Sequence, residues 1–79
     1  MKNIIHLNEL DINSVGKIKE ISCHSNIKRR LLDLGIIPST YVTPVFKSTG
    51  GDPVAYEIRG TILAIRNQDA KNILIECNS

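Results

Sequence analysis

The sequence predicts a mainly β protein, a small and strongly bent antiparallel barrel of about five strands with one covering α-helix. β-branched aliphatic residues are abundant, with 13 Ile and 4 Val, and such residues favour strands. Short segments of alternating hydrophobicity follow one another, separated by turns that contain glycine or proline. A second hydrophobic core would be too small to be stable, so we expect residues 1–79 to form a single domain.

The first predicted strand covers residues 15–22. Ile18 and Ile21 are an odd number of positions apart, and the side chains of a regular strand alternate between its two faces. Both isoleucines can therefore face one core only if the strand contains a bulge or changes its pairing. An irregular strand is predicted here.

Residues 25–35 are predicted to form the helix. Apolar residues recur in it at i, i+4 and i+7 and make one stripe for the core; these residues are Ile27, Leu31 and Leu34. Ser25 is the predicted N-cap, and Gly35 is the predicted left-handed residue that ends the helix. Because the helix is short, it depends on packing for its stability.

The second predicted strand, residues 41–47, contains Pro44. Proline has no N–H to donate to a strand ladder, so it is found at sheet edges and at bulges. We expect one of these two arrangements at Pro44. Residues 48–52 contain two glycines and follow as a turn or an exposed loop.

The last part of the chain is predicted to begin with a hairpin. Residues 53–59 and 61–66 pair around a tight turn at Gly60. The first of these strands alternates, and its apolar face consists of Val54, Tyr56 and Ile58. Two further elements complete the prediction, namely a helical turn over residues 67–72 capped by Asn67 and a short strand over residues 73–77.

Composition indicates where the protein acts. The first residues lack the unbroken apolar run of roughly 7–15 residues that a secretory signal needs, and no segment approaches the roughly 18 apolar residues of a membrane span. We therefore expect a cytoplasmic protein whose two cysteines are reduced. The 10 Lys and Arg against 8 Asp and Glu give a net charge of +2, which is too weak by itself to indicate nucleic-acid binding.

Metal ligands are present, but not at ligand spacing. Cys23 and His24 are adjacent, whereas His6 and Cys77 lie near the two termini. Thiolate and imidazole suit zinc and similar ions, but neighbouring residues of a strand point to opposite faces, and no CxxC or HxxxH motif occurs. We expect no dedicated metal site and no cofactor; Cys23, His24 and Cys77 are the candidates if the protein carries a metal.

Catalytic patterns are not found either. The segment STGGDP, residues 48–53, contains paired glycines, but a phosphate-binding loop is followed by a helix, and here an alternating strand follows. The eight acidic residues are scattered, so no carboxylate pair is spaced for acid–base work. We expect neither an enzyme nor any catalytic residue, which leaves a binding protein.

Two ordered motifs carry a family resemblance. The first is a helix stop within RRLLDLGIIPST, residues 29–40, and the second is a Gly-Asp-Pro loop and an Arg-Gly turn within GDPVAYEIRGTILAIRNQDA, residues 51–70. Together they resemble the ferrous-iron transport protein A family over nearly the whole chain. The matching positions are Arg30, Leu31, Leu34, Gly35, Ile36, Pro38, Gly51, Asp52, Pro53, Arg59, Gly60, Ile65, Arg66, Asp69 and Ala70.

One position departs from the family pattern. The family commonly has glycine after the proline of the helix stop, and this chain has Ser39. Glycine there would tolerate a positive φ. Serine therefore predicts either a type I turn or a mildly strained residue.

The resemblance implies an SH3-like barrel without known enzymatic activity. Members of the family accompany a large membrane ferrous-iron transporter, ferrous iron transport protein B, and are thought to bind it and to support or regulate uptake. The resemblance therefore implies a cytoplasmic accessory protein that contacts the cytosolic part of this transporter, without nucleic acid and without membrane insertion. Two alternatives stay open: a small basic barrel that binds nucleic acid, and a metal-carrying chaperone that uses Cys23, His24 or Cys77.

Two sets of residues are candidates for the site and its support. Arginine is enriched at protein interfaces and lysine is not, and the arginines outside the apolar stripe have no evident packing role. Together with the exposed loop they form the predicted partner-binding surface, which consists of Arg29, Arg30, Arg59, Thr49, Gly50, Gly51 and Asp52. Structural roles are expected for Leu31, Leu34, Gly35, Pro38, Pro53 and Gly60.

Overall fold

The structure is a computed structural model that describes residues 2–22 and 26–78. Within these residues the chain forms six strands, β1 (Lys2–His6), β2 (Gly16–Ile21), β3 (Tyr41–Lys47), β4 (Val54–Ile58), β5 (Thr61–Ile65) and β6 (Ile73–Asn78). It also forms the helices α1 (Asn26–Asp33) and α2 (Asn67–Ala70), and 3₁₀ turns at Leu7–Glu9 and Thr49–Gly51. The strands make one antiparallel sheet in the order β1-β6-β2-β3-β4-β5.

The mainly β, antiparallel architecture is confirmed, but the predicted number of strands is one too few. The prediction begins at residue 15 and omits β1, which pairs with β6 so that Ile5 lies opposite Ile75. The sequence of β1, KNIIH, shows no alternation of polar and apolar residues, because Ile4 and Ile5 are adjacent. In the structure Ile4 is exposed and Ile5 is half-buried. Pairing with the last strand of the chain, rather than a local pattern, therefore places β1.

One hydrophobic core receives side chains from the sheet and from α1. The predicted apolar face of β4 is buried, β5 contributes Leu63 and Ile65, and α1 adds Ile27 and Leu31. The buried apolar residues are Leu7, Leu10, Ile18, Ile21, Ile27, Leu31, Ile36, Val42, Val54, Tyr56, Ile58, Leu63, Ile65, Ala70, Ile73 and Ile75. Full burial of a large aliphatic side chain stabilises the fold by roughly 1.5–3 kcal/mol, so this core is the main support of the sheet.

Both strands that were predicted to be irregular contain a shift in register. In β2, Ile18 and Ile21 are both buried, and the register against β6 shifts between Ile18 and Glu20. In β3, the register against β4 shifts between Pro44 and Phe46. Each irregularity occurs where the sequence conflicts with a regular ladder, which confirms the two predictions.

α1 ends in a Schellman motif. Gly35 has a φ of +78°; its N–H donates to the carbonyl of Leu32 at 2.9 Å, and the N–H of Ile36 donates to that of Leu31 at 2.8 Å. In this motif the residue after the glycine packs against the last helical turn, and Ile36 and Leu31 are both buried. Leu34 is left 51% exposed, so its predicted place in the core stripe is wrong.

The turn between α1 and β3 shows which of the two predicted conformations Ser39 adopts. The N–H of Thr40 donates to the carbonyl of Ile37 at 3.1 Å, and Ser39 has a φ of +80°. Pro38 followed by a residue with positive φ makes a type II turn. The type I alternative is wrong, and the prediction of a strained serine is confirmed.

Candidate partner-binding site

The turn between β4 and β5 is the first part of the site. Because Ile58 lies opposite Thr61, only Arg59 and Gly60 connect the two strands. Their φ values are +53° and +79°. Two consecutive residues with positive φ are typical of a type I′ turn, whose twist matches that of a hairpin. This tight turn fixes the direction in which the Arg59 side chain leaves the sheet.

The Arg59 side chain returns to the end of α1. Its Nη1 donates a hydrogen bond to the backbone carbonyl of Gly35 at 2.9 Å. The C-terminus of a helix carries partial negative charge and carbonyls without helical partners, so a guanidinium is favourable there. The sequence gives no sign of this contact, because the bond joins residues that are 24 positions apart. The structural role of Arg59 was therefore not predicted.

An open groove lies between α1 and β5. Its lining residues are Arg29, Arg30, Asp33, Leu34, Thr61 and Leu63. Arg29 and Arg30 are exposed. The salt bridges found within residues 2–22 and 26–78 both involve Glu76, so neither arginine of the groove is held in an ion pair with a described residue.

A smaller pocket continues this groove toward the β4–β5 turn. It shares Leu34, Thr61 and Leu63 with the groove and adds Gly35, Ile36, Ile58 and Arg59. We refer to the two together as the α1–β5 groove. The three arginines predicted to contact a partner thus surround one depression that has leucine and isoleucine side chains in its lining.

The predicted loop residues lie at a different place. The turn Thr49–Gly51 precedes β4 and Arg59 follows it, and five extended residues span roughly 17 Å. Asp52 Oδ1 accepts a hydrogen bond from the backbone N–H of Asn67 at 2.9 Å, and the carbonyl of Gly51 accepts one from Asn67 Nδ2 at 3.2 Å. The predicted surface therefore divides into the α1–β5 groove and a separate loop that contacts α2.

The same bonds correct the predicted start of α2. Arg66, rather than Asn67, is at the N-cap position, and its side chain makes no cap hydrogen bond. The Asp52 carboxylate instead accepts the first N–H of the helix, where a negative charge is favourable. The prediction that Asn67 caps the helix is therefore wrong. The acceptor for the first N–H of the helix is Asp52, which lies 15 positions earlier in the chain.

Metal ligands do not come together in the described part of the chain. No group of three or more His, Cys, Asp and Glu that could hold a metal ion occurs there. Cys23 and His24 lie outside the described residues, as does Ser25, the predicted N-cap of α1. Cys77 is a half-buried free thiol, and His6 Nδ1 donates to the carbonyl of Lys71 at 2.8 Å.

Among the described residues, the titratable group with a clearly shifted pKa lies in the core rather than in the groove. Burial, and secondarily the negative charge of Asp52, raise the pKa of Tyr56 from 10.0 to about 12. The phenol therefore stays neutral near neutral pH, and it cannot serve as a base there.

Comparison with protein families identifies the chain. Residues 5–77 match the model of the FeoA domain. The chain belongs to the FeoA family. This family is associated with ferrous iron transport, and the match confirms the resemblance predicted from the helix stop and the Gly-Asp-Pro motif.

No helix of the described residues is long and apolar enough to cross a membrane.

Solved structures agree with this assignment. The NMR structure of a FeoA-like protein from Clostridium acetobutylicum is 37% identical, with a TM-score of 0.87 over 100% of this chain and 92% of that one. FeoA from Stenotrophomonas maltophilia complexed with zinc, described as a procaryotic SH3 domain protein, is 29% identical, with a TM-score of 0.76 over 90% of this chain and 88% of that one. The predicted SH3-like fold is thereby confirmed.

The same fold occurs in a protein of another kind. A manganese-dependent transcriptional repressor is 13% identical, with a TM-score of 0.83 over 99% of this chain and 44% of that one. At this identity the likeness concerns the fold alone. A search of curated protein sequences found no match.

Proposed function

We propose that this protein is a small accessory and regulatory protein of ferrous-iron uptake, a single cytoplasmic domain that binds the membrane ferrous-iron transporter, ferrous iron transport protein B. Membership of the FeoA family supports the role in uptake. The relative from S. maltophilia has been suggested as an activating factor for bacterial ferrous iron transport, which supports an action on a transporter. The contact is made with the cytosolic part of that transporter.

The α1–β5 groove is the observation that carries this proposal. Arginine is among the residues that dominate binding energy at protein interfaces, together with well-packed apolar anchors. Arg29 and Arg30 flank the exposed Leu34 in the groove, and Arg59 lies where the groove continues. A partner that covers Leu34 would bury apolar surface and pair the guanidinium groups with its own acceptors.

The proposal is tested by capture of the solubilised transporter on the immobilised protein, together with ferrous-iron uptake by cells that carry each variant. The double variant Arg29→Ala/Arg30→Ala is expected to weaken capture by about ten-fold or more and to reduce uptake. Its free energy of unfolding should change by no more than about 1 kcal/mol, because both side chains are exposed. Full capture and full uptake would instead move the contact to the Thr49–Asp52 loop.

A matched control is available on the same sheet. Lys47 is an exposed cation that lies opposite Val54, at the end of β4 remote from Arg59. Lys47→Ala removes the same amount of charge as one arginine substitution, and it should leave capture and uptake unchanged. If Lys47→Ala is as harmful as the arginine variants, the effect comes from net charge or from the adjacent Thr49–Asp52 loop, and not from the groove.

A further inference from the structure

β5 is an edge strand with unpaired backbone groups. It is the last strand of the sheet and pairs only with β4 among the described strands. In a hairpin with a two-residue turn, the first, third and fifth residues after the turn direct their N–H and C=O groups to the partner strand. Ile62 and Ala64 therefore direct theirs outward, beside the α1–β5 groove.

The edge of β5 lacks the features that usually prevent strands from pairing with other chains. Such features are charged side chains, proline and bulges. β5 has the sequence TILAI, and its register against β4 is uninterrupted. Ile62 is 59% exposed. The opposite edge differs, because β1 begins with Lys2 and ends with His6. The β5 edge is suited to accept an added strand.

Side chains of an added strand would meet the groove. Successive side chains of a strand point to opposite faces, so every second side chain of a segment beside β5 would point toward α1. There it would meet Leu34, which is 51% exposed, and the outer part of Leu63. Aliphatic side chains fit this position.

The charges around the edge select an acidic occupant. Arg59 lies two positions before β5, Arg66 directly follows it, and both are exposed. Arg29 and Arg30 line the groove, where Asp33 is the acidic residue. A second copy paired antiparallel at this edge would bring the Arg59 end of one chain beside the Arg66 end of the other, and like charges at such a contact are unfavourable. An acidic segment would instead meet an arginine at each end of the edge and two more in the groove.

We infer that the α1–β5 groove binds an extended acidic segment of the partner protein, which joins the sheet as a strand beside β5. Its backbone pairs with Ile62 and Ala64. On its face toward α1, an aliphatic side chain covers Leu34, and carboxylates two positions away on the same face reach Arg29 and Arg30. The inference rests on the proposed function, and it specifies the chemistry of the transporter segment that is bound.

The probe is a capped ten-residue peptide in which every second residue is threonine and the positions between them alternate between valine and glutamate, so that valine and glutamate share one face of the strand. It is titrated into the isotope-labelled protein. Saturable binding is expected, with hydrogen exchange of the Ile62 and Ala64 amides slowed by about ten-fold or more at saturation. Two control peptides should not bind, one with lysine in place of glutamate and one with every backbone nitrogen methylated. Equal binding of the lysine peptide would overturn the acidic specificity, and equal binding of the methylated peptide would overturn strand addition.

Variants of the protein test the same two features. Ala64→Pro removes an outward-facing N–H and leaves the ladder to β4 intact, so affinity should fall by about ten-fold or more. Ala64→Ser keeps the N–H and should bind as the wild type does. Arg29→Gln/Arg30→Gln should weaken binding and reduce its salt dependence. Unchanged affinity in Ala64→Pro would overturn the inference; if this variant does not fold, the methylated peptide decides the question.

Two further measurements separate the possible outcomes. Concentration-dependent dimerisation that Ala64→Pro abolishes would identify a second copy as the occupant and overturn the inference. Full capture of the transporter by Ala64→Pro would also overturn it, while leaving the proposed function intact. Wild-type protein that binds the acidic peptide but not the transporter would have the opposite meaning: the groove has the inferred chemistry, and the proposed function is wrong.

Discussion

Ser39 holds a backbone conformation that a side chain disfavours, with a φ of +80° at the third position of the turn before β3. Glycine would take this conformation without steric strain. We expect Ser39→Gly to stabilise the protein by about 1 kcal/mol, because relief of strain exceeds the added entropy of the unfolded chain. Chemical denaturation measures the difference.

Ser48 offers the same substitution as a control in an ordinary conformation. Its φ is −67°, so glycine relieves no strain there and only increases the freedom of the unfolded chain. Ser48→Gly should therefore be neutral or destabilising. If both variants behaved alike, the positive φ of Ser39 would have no energetic importance.

Tyr56 makes stability depend on pH at the alkaline end. Its pKa is raised from 10.0 to about 12 in the folded protein, so the folded state retains a proton that the unfolded chain loses near pH 10. The stabilising contribution is complete below the unfolded pKa and is lost as the pH rises through the folded pKa. Between these values the free energy of unfolding should fall by roughly 2 kcal/mol more in the wild type than in Tyr56→Phe. Parallel pH profiles of the two proteins would contradict this assignment.

At the scale of elements, two leucines near the end of α1 have different roles. Leu31 is fully buried, whereas Leu34 is 51% exposed. Leu31→Ala should reduce the free energy of unfolding by roughly 2–5 kcal/mol, because it leaves a cavity. Leu34→Ala should cost less than about 1 kcal/mol and weaken partner binding instead. Thermal unfolding and transporter capture measure the two effects, and a large loss of stability in Leu34→Ala would return this residue to the core.

A feature of the fold could be predicted from the sequence when the interaction that determines it is local. The irregularities at Ile18 and at Pro44 follow from the parity of neighbouring residues and from a missing N–H, so both could be predicted. The position of Leu34 also had a local signal: it directly precedes Gly35, and in a Schellman motif the residue after the glycine, Ile36, takes the buried position. Helical periodicity alone overlooks that signal.

The rest of the site depended on contacts between distant parts of the chain. The bond from Arg59 to the carbonyl of Gly35 and the capping of α2 by Asp52 join residues 24 and 15 positions apart. No periodicity or turn pattern encodes such pairs. The choice of arginines as candidates could therefore be made from the sequence, but their arrangement around one groove could not.

At the scale of the whole molecule, β1 completes the sheet beside β6. Deletion of residues 1–6 would remove this ladder, the contact of Ile5 with the core, and the bond from His6 to Lys71. We expect the free energy of unfolding to fall by at least roughly 2 kcal/mol and aggregation to increase, because β6 becomes an edge. Ile5→Ala, which keeps the ladder, should have a smaller effect. Unchanged stability of the shortened chain would mean that β1 is dispensable.

The pairing of β1 with β6 also brings the two ends of the described chain together. Lys2 lies opposite Asn78 in the antiparallel ladder, and paired residues have Cα atoms only about 4.5–5.5 Å apart. A linker of a few residues could therefore close the chain into a ring without disturbing any strand. New ends could then be opened in the exposed part of the Thr49–Gly51 turn, since chain permutation is tolerated best at exposed loops. In such a permuted chain β4, β5 and α2 would come first in the order of synthesis, while every strand kept its neighbours in the sheet.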